Sequence, residues 1–350
     1  MAFPADAIDN VDLKALVAGG LVNEDVLQKI FMLTQVQTPF QDMIGTDECN
    51  QDYTEWVQDD LGAPVLTKVR ISGSDASSYE TATGSRVGNR TQINARTIAV
   101  SERASNSDTI SDGNQLAYEV MKALQRIRQD LEAHVTFNQA SVADDNAAVA
   151  GKAGGFSAWV ATNDSFGAGG ASGGFNNGTK IVDAPTVGTG RALSWAFITA
   201  QILNVFNAFG NITQLMTTPT LVNGINAFLN SSAAAGLRAS PVANINGDGG
   251  KANQTAQGYF QVVVTAFGTT LTIVANRMQQ LYGGATECDV LLIDTARAAM
   301  AYLDGYKVKE LGKNGLSDRR DCTVDWTLKV YNEKAHAVIR DILPGSTVTV

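Results

Sequence analysis

Between Asn114 and Ala140 the apolar residues Leu116, Val120, Leu124, Ile127, Leu131 and Val135 recur at gaps of 4, 4, 3, 4 and 4. That spacing puts them on one stripe of a 3.6-residue helix, while Glu119, Lys122, Gln125, Arg126, Gln129, Asp130 and Glu132 fall on the other faces. Asp112 or Asn114 is placed to cap its start, and no Gly or Pro interrupts it. Arg126 with Asp130 and Arg128 with Glu132 have the spacing of surface ion pairs. At 1.5 Å per residue the helix would run about 39 Å, roughly twice the usual length. Strand-like, Gly-rich sequence flanks it, so the pattern predicts a spine across which sheets are laid.

Upstream, residues 1–46 read as an N-terminal arm. Asn23 can cap a short helix whose Val26, Leu27, Ile30 and Phe31 share one face, and Pro39 is expected to end it. So few apolar residues make no core, so the arm should lie along the rest of the chain or a neighbour. Over 47–103 the period changes to two. Tyr53 to Val57 is strand-like, Val65, Thr67, Val69 and Ile71 alternate with Leu66, Lys68, Arg70 and Ser72, and Ile93 to Val100 alternates on the return. With a polar tip near 73–89, this predicts one long hairpin.

A two-stranded ribbon is marginal in water, so something outside it must supply the missing face. Its charges are divided, with Asp47, Glu48, Asp52, Glu55, Asp59 and Asp60 early and Lys68, Arg70, Arg86, Arg90, Arg96 and Arg103 later. The division suggests a protruding arm that docks on a neighbouring subunit through complementary charge. The interface candidates are Glu55, Trp56, Asp59, Asp60, Lys68, Arg70, Arg86, Arg90 and Arg96. The plainer alternative is an ordinary hairpin with two solvated faces.

Downstream, 151–190 is Gly-rich and reads as a long loose loop, of the kind that is functional or mobile. A helix is expected from Leu193, with Ala196, Phe197, Ala200, Leu203 and Phe206 as its pattern and Gly210 as its stop. Leu215 to Thr217 is a short strand, and Thr218-Pro219 opens a helix over Leu221 to Leu229. A loop near Gly247 to Gly250 precedes a hairpin, Tyr259 to Ala266 against Leu271 to Asn276. Val290 to Ile293 reads as a buried strand, followed by a helix from Thr295 to Leu303 capped by Asp294. Last, Val324, Trp326, Leu328 and Val330 alternate, Asn332-Glu333 turns, and Ala335 to Ile342 returns as a terminal hairpin. The order describes an α+β plan.

The totals are those of a folded chain with generous loops: 350 residues, 44% hydrophobic, 17% charged, 33 Gly. That length favours two subdomains over one core. No apolar run is long enough to span a bilayer, and Met1-Ala-Phe-Pro lacks a signal peptide's basic start, so a cytoplasmic product without a membrane partner is expected. Cys49, Cys288 and Cys322 are few and far apart, which fits reduced thiols. A net charge of −9 disfavours a protein whose task is to grip nucleic acid.

Few motifs carry chemistry. Gly170-Ala-Ser172-Gly-Gly174 matches a nucleophile elbow literally but lacks the strand before and the helix after. Its base would have to be His134 or His336, both read as structural. Asn244-Ile-Asn246-Gly-Asp248 hints at a calcium loop without the closing Glu, and Gly305 to Lys313 lacks the spacing of a phosphate loop. No catalytic, metal or cofactor site is expected, which leaves an architectural or binding role.

Several ordered segments carry a resemblance. They are Glu55-Trp56 with Asp60-Leu61, Val263-Val-Thr-Ala-Phe-Gly-Thr with Leu271, Val274-Ala-Asn-Arg-Met278, Asp294 before its helix, Glu310-Leu-Gly-Lys313-Asn-Gly315, and Thr327-Leu-Lys-Val-Tyr-Asn332-Glu-Lys-Ala-His336. Together they resemble the major head proteins of tailed double-stranded-DNA phages with the Hong Kong 97-type fold. Asp325-Trp326 and Asn314 depart from that pattern. The resemblance implies an L-shaped subunit: arm 1–46, extended hairpin loop 47–103, peripheral domain 104–211, a mainly axial domain 212–320, and a return to the peripheral sheet at 321–350. It implies many copies, as pentamers and hexamers, in an icosahedral head around DNA touched weakly and without sequence preference. A portal, in some heads a decoration protein, and assembly in the host cytoplasm follow from it. Met1 is not followed by a charged, coiled-coil-like leader, so a separate scaffolding protein is expected. An encapsulin-like compartment of the same fold, a Ser172 hydrolase and a surface-layer protein are the alternatives.

Overall fold

A computed structural model describes residues 37–61, 64–75, 84–107, 115–145, 147–230, 262–265, 267–282, 286–313 and 315–349. The expected arm helix at Asn23, the caps Asp112 and Asn114, the loops at 244–250 and the start of the 259–266 strand lie outside these.

In chain order the elements are α1 (Pro39–Met43), β1 (Gly45–Glu48), β2 (Tyr53–Gln58), β3 (Ser85–Arg90), β4 (Gln92–Ser101), α2 (Glu102–Asn106) and α3 (Gln115–Thr136). There follow α4 (Phe156–Trp159), β5 (Asp164–Ser165), β6 (Gly174–Asn176), β7 (Ile181–Asp183), α5 (Trp195–Asn207), β8 (Gln214–Thr217) and α6 (Pro219–Asn230). The last are β9 (Val262–Val264), β10 (Thr270–Ala275), β11 (Cys288–Ile293), β12 (Ala298–Leu311), β13 (Ser317–Val330) and β14 (Ala337–Ile342). None of the described helices is long and apolar enough to cross a membrane.

α3 is the expected spine. Ile127, Leu131 and Val135 are fully buried, and the helix packs across β4 and β13 of a four-stranded sheet ordered β1-β12-β13-β4. Neither expected ion pair along the helix is made. Asp130 instead takes a two-pronged contact from Arg96 of β4 (Nε 2.9 Å, Nη2 3.0 Å), and Arg128 pairs with Asp42 of α1. Glu132 is buried and turned to α1. Tertiary partners displace local pairs because an exposed i, i+4 pair contributes only about 0.3–0.5 kcal/mol.

A second sheet runs β5-β14-β11-β8-β10-β9, and both its faces are covered along β11. Along β11, Leu291 and Ile293 join the core of α3, whereas Val290 and Leu292 join Ile198, Ile202, Val205, Leu221 and Ile225 of α5 and α6. Burial on two sides explains the unbroken apolar run at 290–293. Two cores thus share one sheet.

Several sequence expectations are corrected. Pro39 starts a helix instead of ending one, with its fixed φ at the first helical position. The return strand β4 does not pair with 65–71; it pairs with β13 from Gln92↔Trp326 to Ser101↔Ser317. The ribbon proper is β2 against β3, Tyr53↔Arg90 to Gln58↔Ser85, and 64–75 forms no strand. The expected 295–303 helix lasts one 3-10 turn, for which Asp294 is the cap, and then extends into β12. Helix-forming Ala and Met residues there yield to pairing with both β1 and β13, which buries Ala298 to Ala301. The last hairpin also dissolves, since β13 stays in the four-stranded sheet while β14 crosses to pair with β11.

The Gly-rich 151–190 segment is not loose. Ala153 and Phe156 to Val160 are core residues, and the glycines let backbones touch: a Cβ at Gly155 would lie 2.0 Å from the Phe137 carbonyl oxygen. On α5 the buried face is Trp195, Ile198, Gln201, Ile202 and Val205, so the expected pattern of Ala196, Ala200, Leu203 and Phe206 is the exposed one.

A buried ionic cluster ties this segment to the sheet. Arg340 of β14 donates from Nε to both Asp164 oxygens at 2.8 Å, and from its other nitrogens to the Ser157 hydroxyl and the Ser157 and Val160 carbonyls. Ser157 and Tyr282 donate in turn to Asp289, and Asp341 accepts from Gly167 N at 2.8 Å. Burial pushes the Asp289 and Asp164 carboxyls up, and the Arg340 charge opposes this.

Candidate assembly surface

The root of the ribbon rests on its own body. Trp56 of β2 donates from Nε1 to the Val330 carbonyl at 2.9 Å, and its ring lies 5.3 Å from that of Trp159. Val87 of β3 is buried in the α3 core, and Asn89 is held by Gly154 and the Leu328 carbonyl. Alternation makes this possible, because Trp56 and Val87 are partners in the register and share one face.

Most candidate charges are satisfied within the chain. Glu55 faces Arg86 across the ribbon at 3.5 Å, and Arg90 reaches Asp52 at 3.6 Å while lying 4.5 Å above the Tyr53 ring. Asp60 accepts from Lys334 at 2.5 Å and Asn332 at 2.6 Å, contacts that hold its carboxyl below the usual range. Asp59 turns back to the Asp60 amide, and Arg96 is the partner of Asp130. Within a single chain the Asp60 contacts tie the ribbon to the body, the Glu55–Arg86 and Arg90–Asp52 pairs lie inside the ribbon, and Arg96 joins β4 to α3. Lys68 and Arg70 lie on exposed backbone beyond it.

Beyond Gln58 the cover ends. Leu61 is 92% exposed, Leu66 91%, Val69 84% and Ile71 84%, on a stretch with turns but no strand partner. Leaving four such side chains in water forgoes about 1.5–3 kcal/mol each relative to burial. Together they make a run of exposed apolar side chains, unlike the singly scattered ones of an ordinary surface.

A second patch went unrecognised in the sequence. Leu203, Phe206 and Phe209 are exposed at the end of α5, and Phe206 stacks on Phe267 of the β9–β10 turn at 5.3 Å. Val262 and Val264 are exposed on β9, the edge strand of the six-stranded sheet. The available signal was α5 itself: a helix apolar on nearly every face is normally buried all round.

Ser172 lies between β5 and β6 with no helix directly after it, so it does not have the strand–Ser–helix geometry of a nucleophile elbow. It is exposed, and its hydroxyl contacts Asp164, which Arg340 already occupies. His336 is fully buried elsewhere, with Nδ1 accepting from Asp294 N at 3.2 Å and Nε2 facing the Arg297 carbonyl at 3.4 Å. Among the described residues no cluster of His, Cys, Asp or Glu is arranged to hold a metal.

The sequence model of the SU10 major capsid protein family matches residues 9–343. The major capsid protein of Escherichia phage Phieco32 is 30% identical over 111 residues, an alignment spanning 32% of this chain and 32% of that protein. Among solved structures, the capsid of a native GTA particle superposes with a TM-score of 0.56 at 13% identity, covering 93% of this chain and 98% of that one. The cyanophage A-1(L) capsid gives 0.55 at 14% identity, covering 92% and 97%. The SrpI encapsulin of Synechococcus elongatus PCC 7942 gives 0.50 at 10% identity, covering 92% and 95%. With its spine helix, two main sheets and two-stranded ribbon in the Hong Kong 97-type fold, the chain belongs to the SU10 major capsid protein family.

Proposed function

We propose that this chain is the subunit of a phage head, in which many copies close into an icosahedral shell around double-stranded DNA. The observation that carries this is the contrast at Gln58: a ribbon root fixed to its own body, then Leu61, Leu66, Val69 and Ile71 with nothing over them. The two-residue alternation of 65–71 is unused within one chain, and a neighbouring copy supplies the surface on which it is buried. The Phe206, Phe209 and Phe267 patch is a second contact, between copies around a symmetry axis. Contacts made head to tail between identical subunits close into rings, here pentamers and hexamers. A net charge of −9 lets the inner wall touch DNA weakly and without sequence preference.

Assembly takes place in the host cytoplasm, directed by a separate scaffolding protein, around a portal. Electron microscopy of particles from cells making the chain with the other head proteins tests the reading. Shells with the chain as their main component support it; a chain that stays monomeric there is incompatible with it. The likeness to an encapsulin favours a second reading, a compartment that houses an enzyme. Particles that carry a co-purified enzyme in place of DNA would decide for that one.

A further inference from the structure

On the N-terminal half of α3 the buried stripe loses its cover. Leu116, Val120, Met121 and Leu124, with Val308 of β12 and Arg320 of β13, line an open, mainly apolar groove of about 620 Å³. Met121 is 47% exposed and Val308 44%, whereas Ile127, Leu131 and Val135, further along the same helix, are sealed.

Where the N-terminal chain joins the body identifies an occupant. The first described residues run onto α3: Phe40 and Gln41 donate their amides to Glu132, and Asp42 pairs with Arg128. Val120, Leu124, Arg128 and Glu132 form one row at i, i+4 spacing, so α1 sits on the ridge that leads into the groove. Along that ridge Leu124 is about 12 Å and Leu116 about 24 Å from the level of Glu132. Residues 32–36 span up to about 17 Å when extended, enough to bring residue 31 to the near end of the groove. Before them, Val26, Leu27, Ile30 and Phe31 lie on one face of a helical pattern about 13 Å long, close to the groove's length.

We infer that the groove on α3 is the seat of this chain's own residues 23–31, with Val26, Leu27, Ile30 and Phe31 packed against Leu116, Val120, Met121 and Leu124. The arm is then a strap that completes the spine's core before any copies meet, which does not depend on the shell reading. The competing occupant is the exposed 61–71 stretch of a second copy.

Two measurements on the full-length chain test this. A Leu27→Cys, Met121→Cys chain, oxidised mildly in dilute solution, is expected to form a bond within one chain; the native thiols are all buried. Hydrogen exchange is expected to quicken roughly ten-fold at 116–124 in Leu27→Asp, Phe31→Asp, with 127–136 unchanged. Exchange that is the same in both chains, or a bond that joins two copies, overturns the assignment.

Discussion

Glu132, in the last turn and a half of the spine helix, accepts the backbone N–H of Phe40 at 2.7 Å and so closes the start of α1 from 92 residues away. The same carboxylate accepts from Gln41 N at 3.1 Å and Asn276 Nδ2 at 2.7 Å. Burial pushes it up, and these donors pull it back. Glu132→Ala leaves buried donors without an acceptor and is expected to cost about 3 kcal/mol, whereas Glu132→Gln keeps one oxygen and costs about 1 kcal/mol. Urea unfolding of the three chains checks the order.

Arg340 is the sole cation within 4 Å of Asp164 and Asp289 among the described residues. Replacing it by Met strands two buried carboxylates, with an expected loss of about 3–5 kcal/mol. Lysine cannot reproduce the fork that serves Asp164, Ser157 and Val160 together, so Arg340→Lys should recover little. Thermal unfolding of both variants is the measurement.

His336 carries the clearest pH dependence. Burial against Phe156 lowers its pKa from 6.5 to about 4. The unfolded chain therefore binds a proton that the folded chain refuses, so this stability is complete above about pH 6.5 and is lost as pH falls towards 4. Between pH 7 and 4.5 the expected loss is about 2–3 kcal/mol. Denaturant titrations of the wild type and of His336→Gln should diverge by that amount across the window. Parallel curves would show that His336 does not titrate there.

The spine, β2, β8, β11 and β13 were legible because each has one dominant period and one buried face or run. Pairing was not. Both long hairpins read from sequence adjacency are split between sheets, because β4 pairs along the long β13 and β14 crosses to the fully buried β11. The buried face of α5 was misread because Ala196, Leu203 and Phe206 are as apolar as Ile198, Ile202 and Val205, and only the sheet decides which turns inward. Among interface candidates the charges drew attention first, yet Arg96 and Asp60 serve the chain's own fold, while Leu61, Leu66 and Val69 carry the open surface.

The most direct measurement removes only that surface. Excising Asp52 to Arg96 would take the buried Val87 and Asn89 with it and unfold the body. Replacing 61–83 by Asn-Gly instead leaves Asp60-Asn-Gly as a three-residue hairpin loop between Asp59 and Gly84, which keeps the Gln58↔Ser85 register and retains Asp60, the partner of Lys334. Made with the other head proteins and viewed by electron microscopy, this chain is expected to fold with an unchanged melting temperature and to yield no closed shells. Normal shells from it would contradict the claim that the uncovered loop finds its burial on a neighbouring copy.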